Sequence, residues 1–291
     1  NYIELKEELK ESYTFSTTSD TEVLVRAYQR WGIRCLERLR GMFAFALLDR
    51  RAQKLFLVRD RVGIKPLYIW RAPSSLYFAS ELSALAKAAS FPRKVDAQAV
   101  AAYFQLQYVP APRSIYRGVE KLRPAYFLEI DLSSRQCSEH RYWDLELAPQ
   151  ARPEGELLEE LNEVLDETVR IYVRSDVPFG AFLSGGVDSS LVTAVMGRHL
   201  KEPVRTFSIG FEEEAHSELP FAAQAARLLG ASHHERVVTA DLASGVLERL
   251  AWNYGEPFGD SSAVPTYYVS KEAASEKRMS GFRTHWTICM T

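Results

Sequence analysis

The stretch Phe179-Gly-Ala-Phe-Leu183-Ser-Gly-Gly-Val-Asp-Ser-Ser190 decides how the second half of the chain folds. Its apolar first part predicts a short buried strand, and Leu191 to Leu200 has the period of a helix, so residues 184–190 form a strand-to-helix turn. Gly185 and Gly186 let backbone amides converge at this turn, and the positive end of the helix faces the same point. We therefore expect the loop to bind a phosphate group.

The polar side chains of this loop support the same expectation. Ser184, Ser189 and Ser190 add hydroxyl donors. Asp188 would repel a phosphate, so we expect it to hold a magnesium ion that bridges a pyrophosphate. The loop lacks the pattern Gly-x-x-x-x-Gly-Lys, which excludes a phosphate loop of the Walker type. A Gly- and Ser-rich turn that only caps a helix is the competing interpretation.

The segments after the loop alternate between strands and helices. In chain order, a strand, a helix, a strand and a helix are predicted at Val204–Ile209, Ser217–Leu229, His233–Val238 and Asp241–Trp252. This alternation predicts a parallel sheet with right-handed crossovers. Ligands of open parallel sheets bind at the carboxyl ends of the strands, so Ile209 and Gly210 are expected to contact an adenine base. An ordinary core isoleucine is the alternative for Ile209.

The first half of the chain is richer in strands. Ser19 and Glu22 have the spacing of a capping box, which predicts a helix that runs to Trp31 and ends at Gly32. Two hairpins, a short helix and a last strand follow at Met42–Asp49 with Lys54–Asp60, Pro66–Trp70 with Leu76–Ser80, Glu81–Ala88 and Ala125–Leu132. A long amphipathic helix begins at Glu154. We expect two domains, at residues 1–145 and 152–291.

Composition excludes several classes of function. Hydrophobic residues make up 46% and charged residues 25%, and the formal net charge of -2 offers no field for nucleic acid or an anionic membrane. The cysteines, Cys35, Cys137 and Cys289, have no spacing typical of a zinc site. No apolar run reaches about 18 residues, and no start resembles a signal peptide. The expected location is the cytoplasm.

These motifs together resemble a known family, the glutamine-hydrolysing asparagine synthetases and their amidotransferase relatives. The segments that carry the resemblance are Ser19–Glu22, Leu39–Phe45, Arg59–Tyr68, Phe78–Glu81, Ser184–Ser190 and Phe207–Phe211. The resemblance implies an α/β protein of two domains. The first is an αββα N-terminal-nucleophile fold of the class II glutamine amidotransferase type, and the second is an adenine-nucleotide α-hydrolase-like parallel sheet.

The resemblance also implies a reaction, that of a carbon–nitrogen ligase. With ATP and Mg²⁺ a carboxylic acid, foremost aspartate, becomes an acyl-adenylate, and ammonia from glutamine converts it to the amide. Asp20 would bind the α-amino group of glutamine, and Glu256 and Asp260 would line the synthetase site. The competing interpretations are a cap residue for Asp20 and a Pro-rich turn with a capped helix for the other two. Partners are expected to be small molecules, and a homodimer is left open.

The chain departs from the family at both ends. The family's glutaminase nucleophile is a cysteine at the mature N-terminus, whereas Asn1 matches a position inside the domain, so we expect no glutaminase activity from the chain as given. The three cysteines are poor substitutes, because none begins the chain. After Lys271 the sequence has no helical or strand period, and we expect the second domain to lack its C-terminal part. Alternatives are another acceptor, of the cell-surface polysaccharide or β-lactam type, and a truncated remnant without catalysis.

Overall fold

The computed structural model describes residues 1–175, 178–211, 217–239, 244–278 and 288–289 of the 291-residue chain. Its contacts divide the chain into two compact units. Unit 1 contains residues 1–148 and 252–259, and unit 2 contains residues 149–251 and 260–291. The sequence-based limits had placed residues 252–259 in the second domain, whereas their contacts group with the first half of the chain.

Unit 1 contains two antiparallel sheets. Its elements are α1 (Tyr2–Leu9), α2 (Asp20–Trp31), a 3-10 helix (Gly32–Arg38), β1 (Ala44–Asp49), β2 (Lys54–Arg59), β3 (Tyr68–Arg71), β4 (Leu76–Ala79), α3 (Leu82–Leu85), α4 (Ala97–Leu106), β5 (Val119–Lys121), β6 (Tyr126–Asp131) and β7 (Cys137–Arg141). The strand orders are β1-β2-β6-β7 and β4-β3-β5. Both predicted hairpins are therefore confirmed.

Strand β2 shows how the layers of unit 1 are arranged. Phe56 and Val58 pack into a cluster that α1 and α2 also enter, while Leu57, on the opposite face, packs against Ile69 of the second sheet. Residues of α3 and α4 join Trp70 in a third cluster. Successive side chains of a strand point to opposite faces, so the two sheets pack on each other and helices cover the outer face of each.

Helix α2 begins and ends where the sequence predicts. The Ser19 hydroxyl accepts the N–H of Thr21 at 3.1 Å, and Gly32 ends the helix with a φ of 61°. Glu22, however, does not close a capping box on Ser19. Its carboxylate instead accepts the backbone N–H groups of Ser16 and Thr17, at 3.0 and 2.7 Å. The side chain therefore fixes the segment that precedes the helix.

The prediction that Ala125–Leu132 is the last strand of this half was wrong. Strand β7 follows and pairs antiparallel with β6, with Tyr126 opposite Arg141. All five residues of β7 are exposed at the edge of the sheet. A strand with no buried face needs no apolar alternation, so its sequence resembles a polar loop.

Unit 2 contains one parallel sheet with strand order β10-β9-β8-β11. Its elements are α5 (Glu154–Tyr172), β8 (Gly180–Phe182), α6 (Val187–His199), β9 (Arg205–Phe211), α7 (Leu219–Leu229), β10 (Ser232–Val238), α8 (Leu247–Tyr254, whose end belongs to unit 1), α9 (Ala263–Arg278) and β11 (Ile288–Cys289). The predicted parallel sheet is confirmed. No helix among the described residues is both long and apolar enough to span a membrane.

Two predictions for unit 2 concern the C-terminal tail and the helix from Asp241. The first was wrong, and part of the second lies outside the described residues. The tail after Lys271, for which no helical or strand period was expected, begins as helix, because α9 continues to Arg278. Residues 288–289 of the same tail pair in parallel with Gly180 and Ala181 of β8. A two-residue strand is too short to show a period. The predicted helix from Asp241 is observed as α8, and residues 241–243 lie outside the described part, as do residues 279–287.

Candidate functional site

The loop of residues 184–190 lies between β8 and α6, as its sequence predicts. The N–H of Leu183 donates to the carbonyl of Phe207 at 3.0 Å, which keeps β8 paired with β9 up to the start of the loop. Gly186 is the N-cap of α6, so Asp188, Ser189 and Ser190 occupy the first turn of the helix. The helix thus begins earlier than the predicted Leu191, and the first free N–H groups of α6 lie within the loop.

Two serines brace the loop from within. The hydroxyl oxygens of Ser184 and Ser189 are 2.9 Å apart, and the N–H of Gly186 donates to the Ser184 hydroxyl at 3.2 Å. Ser189 is buried, and its hydroxyl also reaches the carbonyl of Gly186 at 3.3 Å. The N–H of Ser190 donates to that same carbonyl at 3.1 Å. The serines therefore shape the loop as well as offering hydroxyl groups.

Gly185 meets two separate requirements for glycine. Its φ is +81°, which L side chains rarely adopt. A Cβ atom there would also lie 2.5 Å from the carbonyl carbon of Phe221 and 2.6 Å from the backbone nitrogen of Ala222, both in α7. Backbone atoms of a helix cannot move aside cheaply. The loop is therefore seated directly on α7, and no other residue fits at this position.

Asp188 is exposed in the first turn of α6, where the helix dipole favours a negative charge. Among the described residues, no group of three or more His, Cys, Asp or Glu side chains could hold a metal ion. Mg²⁺ commonly binds through only one or two carboxylates together with the phosphates of a nucleotide. One exposed carboxylate, Asp188, beside the predicted phosphate-binding loop fits that requirement.

The end of β9 lies beside the loop, and it is held there by a residue that the sequence reading missed. The hydroxyl of Ser208, which is buried, donates to the carbonyl of Leu183. Ile209 is half-buried and packs against two apolar clusters of unit 2, as an ordinary core isoleucine would. Gly210 is buried under Leu219 of α7. A serine within the apolar run Phe207–Ile209 was the only sequence signal for Ser208.

Asp20 lies in unit 1 at the first position of α2 and is exposed. The hydroxyl of Thr21 is 3.3 Å from its Oδ1, and that of Ser19 is 3.4 Å away. Nearby, the hydroxyl of Thr17 and the N–H of Ser16 lower the pKa of Glu22 to about 2. Glu22 therefore stays ionised while it holds the segment before Asp20 in place.

The structure places Glu256 and Asp260 in different units. Glu256 belongs to unit 1, where only 11% of its side chain is exposed and it forms an ion pair with Lys121. Asp260 belongs to unit 2, is exposed, and accepts the N–H of Ser262 at 2.8 Å just before α9. This hydrogen bond lowers the pKa of Asp260. The geometry at Asp260 is that of a helix cap, which agrees with the plainer interpretation of this residue.

Two family models match the chain. The glutamine amidotransferase domain matches residues 1–143, and the asparagine synthase family matches residues 160–280. The asparagine synthetase [glutamine-hydrolyzing] 1 of Bacillus subtilis is 36% identical over 274 residues, which cover 94% of this chain and 43% of that protein. A putative asparagine synthetase of Methanocaldococcus jannaschii is 37% identical over 94% of this chain and 53% of its own length.

A more distant relative and two solved structures also align with the chain. Amidase chry2 of Gibberella zeae is 29% identical over 91% of this chain and 41% of its own length. The glutamine PRPP amidotransferase of B. subtilis aligns with 81% of this chain and 59% of its own, at 16% identity and a TM-score of 0.34. The glutamine-dependent NAD+ synthetase of Acinetobacter baumannii aligns with 96% and 69%, at 14% identity and 0.33.

The chain spans about half the length of these three curated relatives, from 41% to 53%. Within that span the two matched regions follow each other in the order that the sequence motifs predict. The relatives at 36–38% identity are named as glutamine-hydrolysing asparagine synthetases, which are ligases. The chain therefore belongs to the family of asparagine synthetase-like, glutamine-dependent amidotransferases.

Proposed function

We propose that this protein takes part in ATP-dependent amide synthesis, in which a carboxylic acid displaces pyrophosphate from ATP to form an acyl-adenylate, and ammonia derived from glutamine then displaces AMP to form the amide. Aspartate is the leading acceptor, because relatives at 36–38% identity carry the name of asparagine synthetases. The observation that carries the proposal is the loop of residues 184–190, seated on α7 between a parallel strand and the start of α6.

The roles of the loop residues follow from their positions. The backbone N–H groups of Gly185 and Gly186, the start of α6 and the hydroxyl of Ser190 would bind the pyrophosphate of ATP. Ser184 and Ser189 would keep the loop in shape. Mg²⁺ at Asp188 would neutralise the charge of the leaving pyrophosphate when it is bound.

The rest of the proposed nucleotide site lies at the end of β9. An adenine base would rest there, against Ile209 and the backbone of Gly210. Adenylation is chemically required because a carboxylate is a poor electrophile, and an attached phosphate turns its oxygen into a leaving group. In unit 1, Asp20 would pair with the α-ammonium group of glutamine.

The finer fold assignments are part of the proposal. Two face-to-face sheets with helices on both outer faces support the αββα N-terminal-nucleophile fold for unit 1. The parallel order β10-β9-β8-β11 supports the adenine-nucleotide α-hydrolase-like sheet for unit 2. The predicted limits, residues 1–145 and 152–291, remain proposals.

Titration calorimetry with Mg-ATP tests the nucleotide site on the chain itself. We expect the wild-type chain to bind and Gly185→Ala to lose binding, because the new methyl group would clash with the backbone of α7. Gly230→Ala is a matched control: Gly230 also has a positive φ, of +62°, but a Cβ there meets nothing within 4 Å. It should bind as the wild type does. Absence of binding heat from the folded wild-type chain would refute the proposed site.

The acceptor is tested by isotope exchange between pyrophosphate and ATP in the presence of candidate acids. Aspartate-dependent exchange supports an asparagine synthetase activity. Exchange that depends on another acid would replace aspartate with that acid, an outcome to which the similarity to amidase chry2 gives some weight. Binding of Mg-ATP without exchange in the presence of any acid would contradict the adenylation step while leaving the nucleotide site intact.

A further inference from the structure

Residues 252–259 contain the end of α8 and the loop before α9, and their contacts group them with unit 1. The N–H of Gly259 donates to the carbonyl of Gln107 at 2.7 Å. A Cβ atom at Gly255, whose φ is +69°, would lie 3.0 Å from the Cβ of Leu82. Close packing at both ends thus holds this segment against the helices and loops of unit 1.

A buried ion pair lies between these two packing points. The carboxylate of Glu256 pairs with the ammonium group of Lys121 on β5, and the two side chains are only 11% and 13% exposed. The Lys121 Nζ also donates to the carbonyl of Val109 at 2.6 Å and lies 5.9 Å from the ring centre of Tyr68, which is buried. Few Lys and Glu side chains are this far removed from water.

The charge on Glu256 depends chiefly on Lys121. Burial raises the pKa of Glu256, and Lys121 opposes this rise, with smaller help from the N–H of Ile115 and the hydroxyl of Tyr68. Burial also raises the pKa of Tyr68, so its hydroxyl stays neutral. Within the described residues, the Oε2 atom of Glu256 is buried without a partner of good hydrogen-bond geometry. Among the described residues, Lys121 is therefore the cation that pairs with this carboxylate.

We infer that Lys121, in the amidotransferase half of the sequence, is the positioning residue for Glu256: its ammonium group pairs with the carboxylate, holds it in place, and thereby fixes residues 252–259. Any effect of this arrangement on amide synthesis rests on the proposed function. The positioning of Glu256 by Lys121 does not depend on that function. Two measurements on the unliganded chain can therefore test it whether or not ATP or glutamine binds.

The first measurement is a ¹³C NMR titration of the Glu256 carboxyl carbon, for which Glu256→Gln provides the assignment. In Lys121→Met the midpoint should move to higher pH, because the carboxylate stays buried and loses its cation. The second measurement is hydrogen exchange at the N–H of Gly259. We expect exchange to become at least about tenfold faster, because removing one partner of a buried ion pair leaves the other charge uncompensated.

A surface ion pair of unit 1 provides the matched control. Lys54 and Glu129 also form a Lys–Glu pair, but their side chains are 37% and 26% exposed. Lys54→Met should leave both the Glu256 titration and the Gly259 exchange as in the wild type, because exposed pairs contribute little. If Lys121→Met leaves both readouts unchanged as well, the inference is wrong.

A double variant keeps the test decisive if Lys121→Met does not fold. Adding Glu256→Gln removes the uncompensated charge, so the double variant should fold and regain most of the protection at Gly259. A double variant that is as damaged as Lys121→Met would show that the lysine acts through some other contact. That result would overturn the inference, since the proposed role of Lys121 operates entirely through the charge on Glu256.

Discussion

Gly210→Ala probes how closely α7 packs on the end of β9. A Cβ atom at Gly210 would lie 2.3 Å from the Cδ1 and 2.5 Å from the Cγ of Leu219, and 2.7 Å from the hydroxyl of Ser217. All three are side-chain atoms, which can rotate away at some cost. We therefore expect overpacking rather than loss of the fold, with a decrease in the free energy of unfolding of about 1–3 kcal/mol.

Urea unfolding followed by circular dichroism measures this effect, and thermal unfolding should show a Tm lower by roughly 2–4 °C for each kcal/mol. The second substitution Leu219→Ala removes the Cγ and Cδ1 atoms that clash. In a double-mutant cycle, Gly210→Ala should therefore cost less in the Leu219→Ala background than in the wild type.

Gly197 in α6 is the control, because the same substitution should there have the opposite sign. A Cβ at Gly197 meets only the Cγ2 of Val204, at 3.9 Å, within a helix. Gly197→Ala should raise the free energy of unfolding by about 0.5–1 kcal/mol. Our account of the contact between β9 and α7 fails if Gly210→Ala is as stable as the wild type, or if Leu219→Ala gives no relief.

Two further predictions concern unit 1. The pKa of Glu22 falls from 4.5 to about 2 on folding, so this carboxylate stabilises the fold above pH 4.5 and the contribution is lost as the pH falls from there towards 2. In Glu22→Gln the urea midpoint of unfolding should decrease less than in the wild type as the pH falls from 4.5 towards 2. An equal decrease in both proteins would contradict the assigned hydrogen bonds. Leu57 is fully buried between the two sheets, so Leu57→Ala should cost about 2–5 kcal/mol. Leu48→Ala on the neighbouring strand, where the side chain is 54% exposed, should cost far less in the same urea assay.

Elements whose ends are set by neighbouring residues could be predicted from the sequence. Helix α2 begins after Ser19 and ends at Gly32, as predicted, because an N-cap side chain and a glycine with a positive φ affect only the backbone next to them. The strand–loop–helix pattern around residues 184–190 was sufficient in the same way. The partners of Glu22 were not predicted, since the capping-box spacing indicates Ser19 whereas the carboxylate bonds to Ser16 and Thr17.

Features that depend on distant partners could not be predicted from the sequence. Nothing near Glu256 in the sequence indicates Lys121, because the ion pair exists only after residues 252–259 have packed against unit 1. A contact with a distant residue was also missed at Gly185, within a motif that the sequence did predict. The sequence explains its glycine by phosphate binding, whereas the structure adds the backbone of α7 as a second reason.

Strand β7 has a consequence for the behaviour of the protein in solution. As the last strand of its sheet among the described residues, it has one side along which the strand of a second molecule could add. Its sequence Cys137-Ser-Glu-His-Arg141 places an acidic residue and two basic residues in a row of five exposed positions. Charged side chains on an edge strand discourage such addition. The polarity that concealed β7 from sequence analysis thus protects this edge from aggregation, and replacing Glu139 and Arg141 with valine would remove that protection.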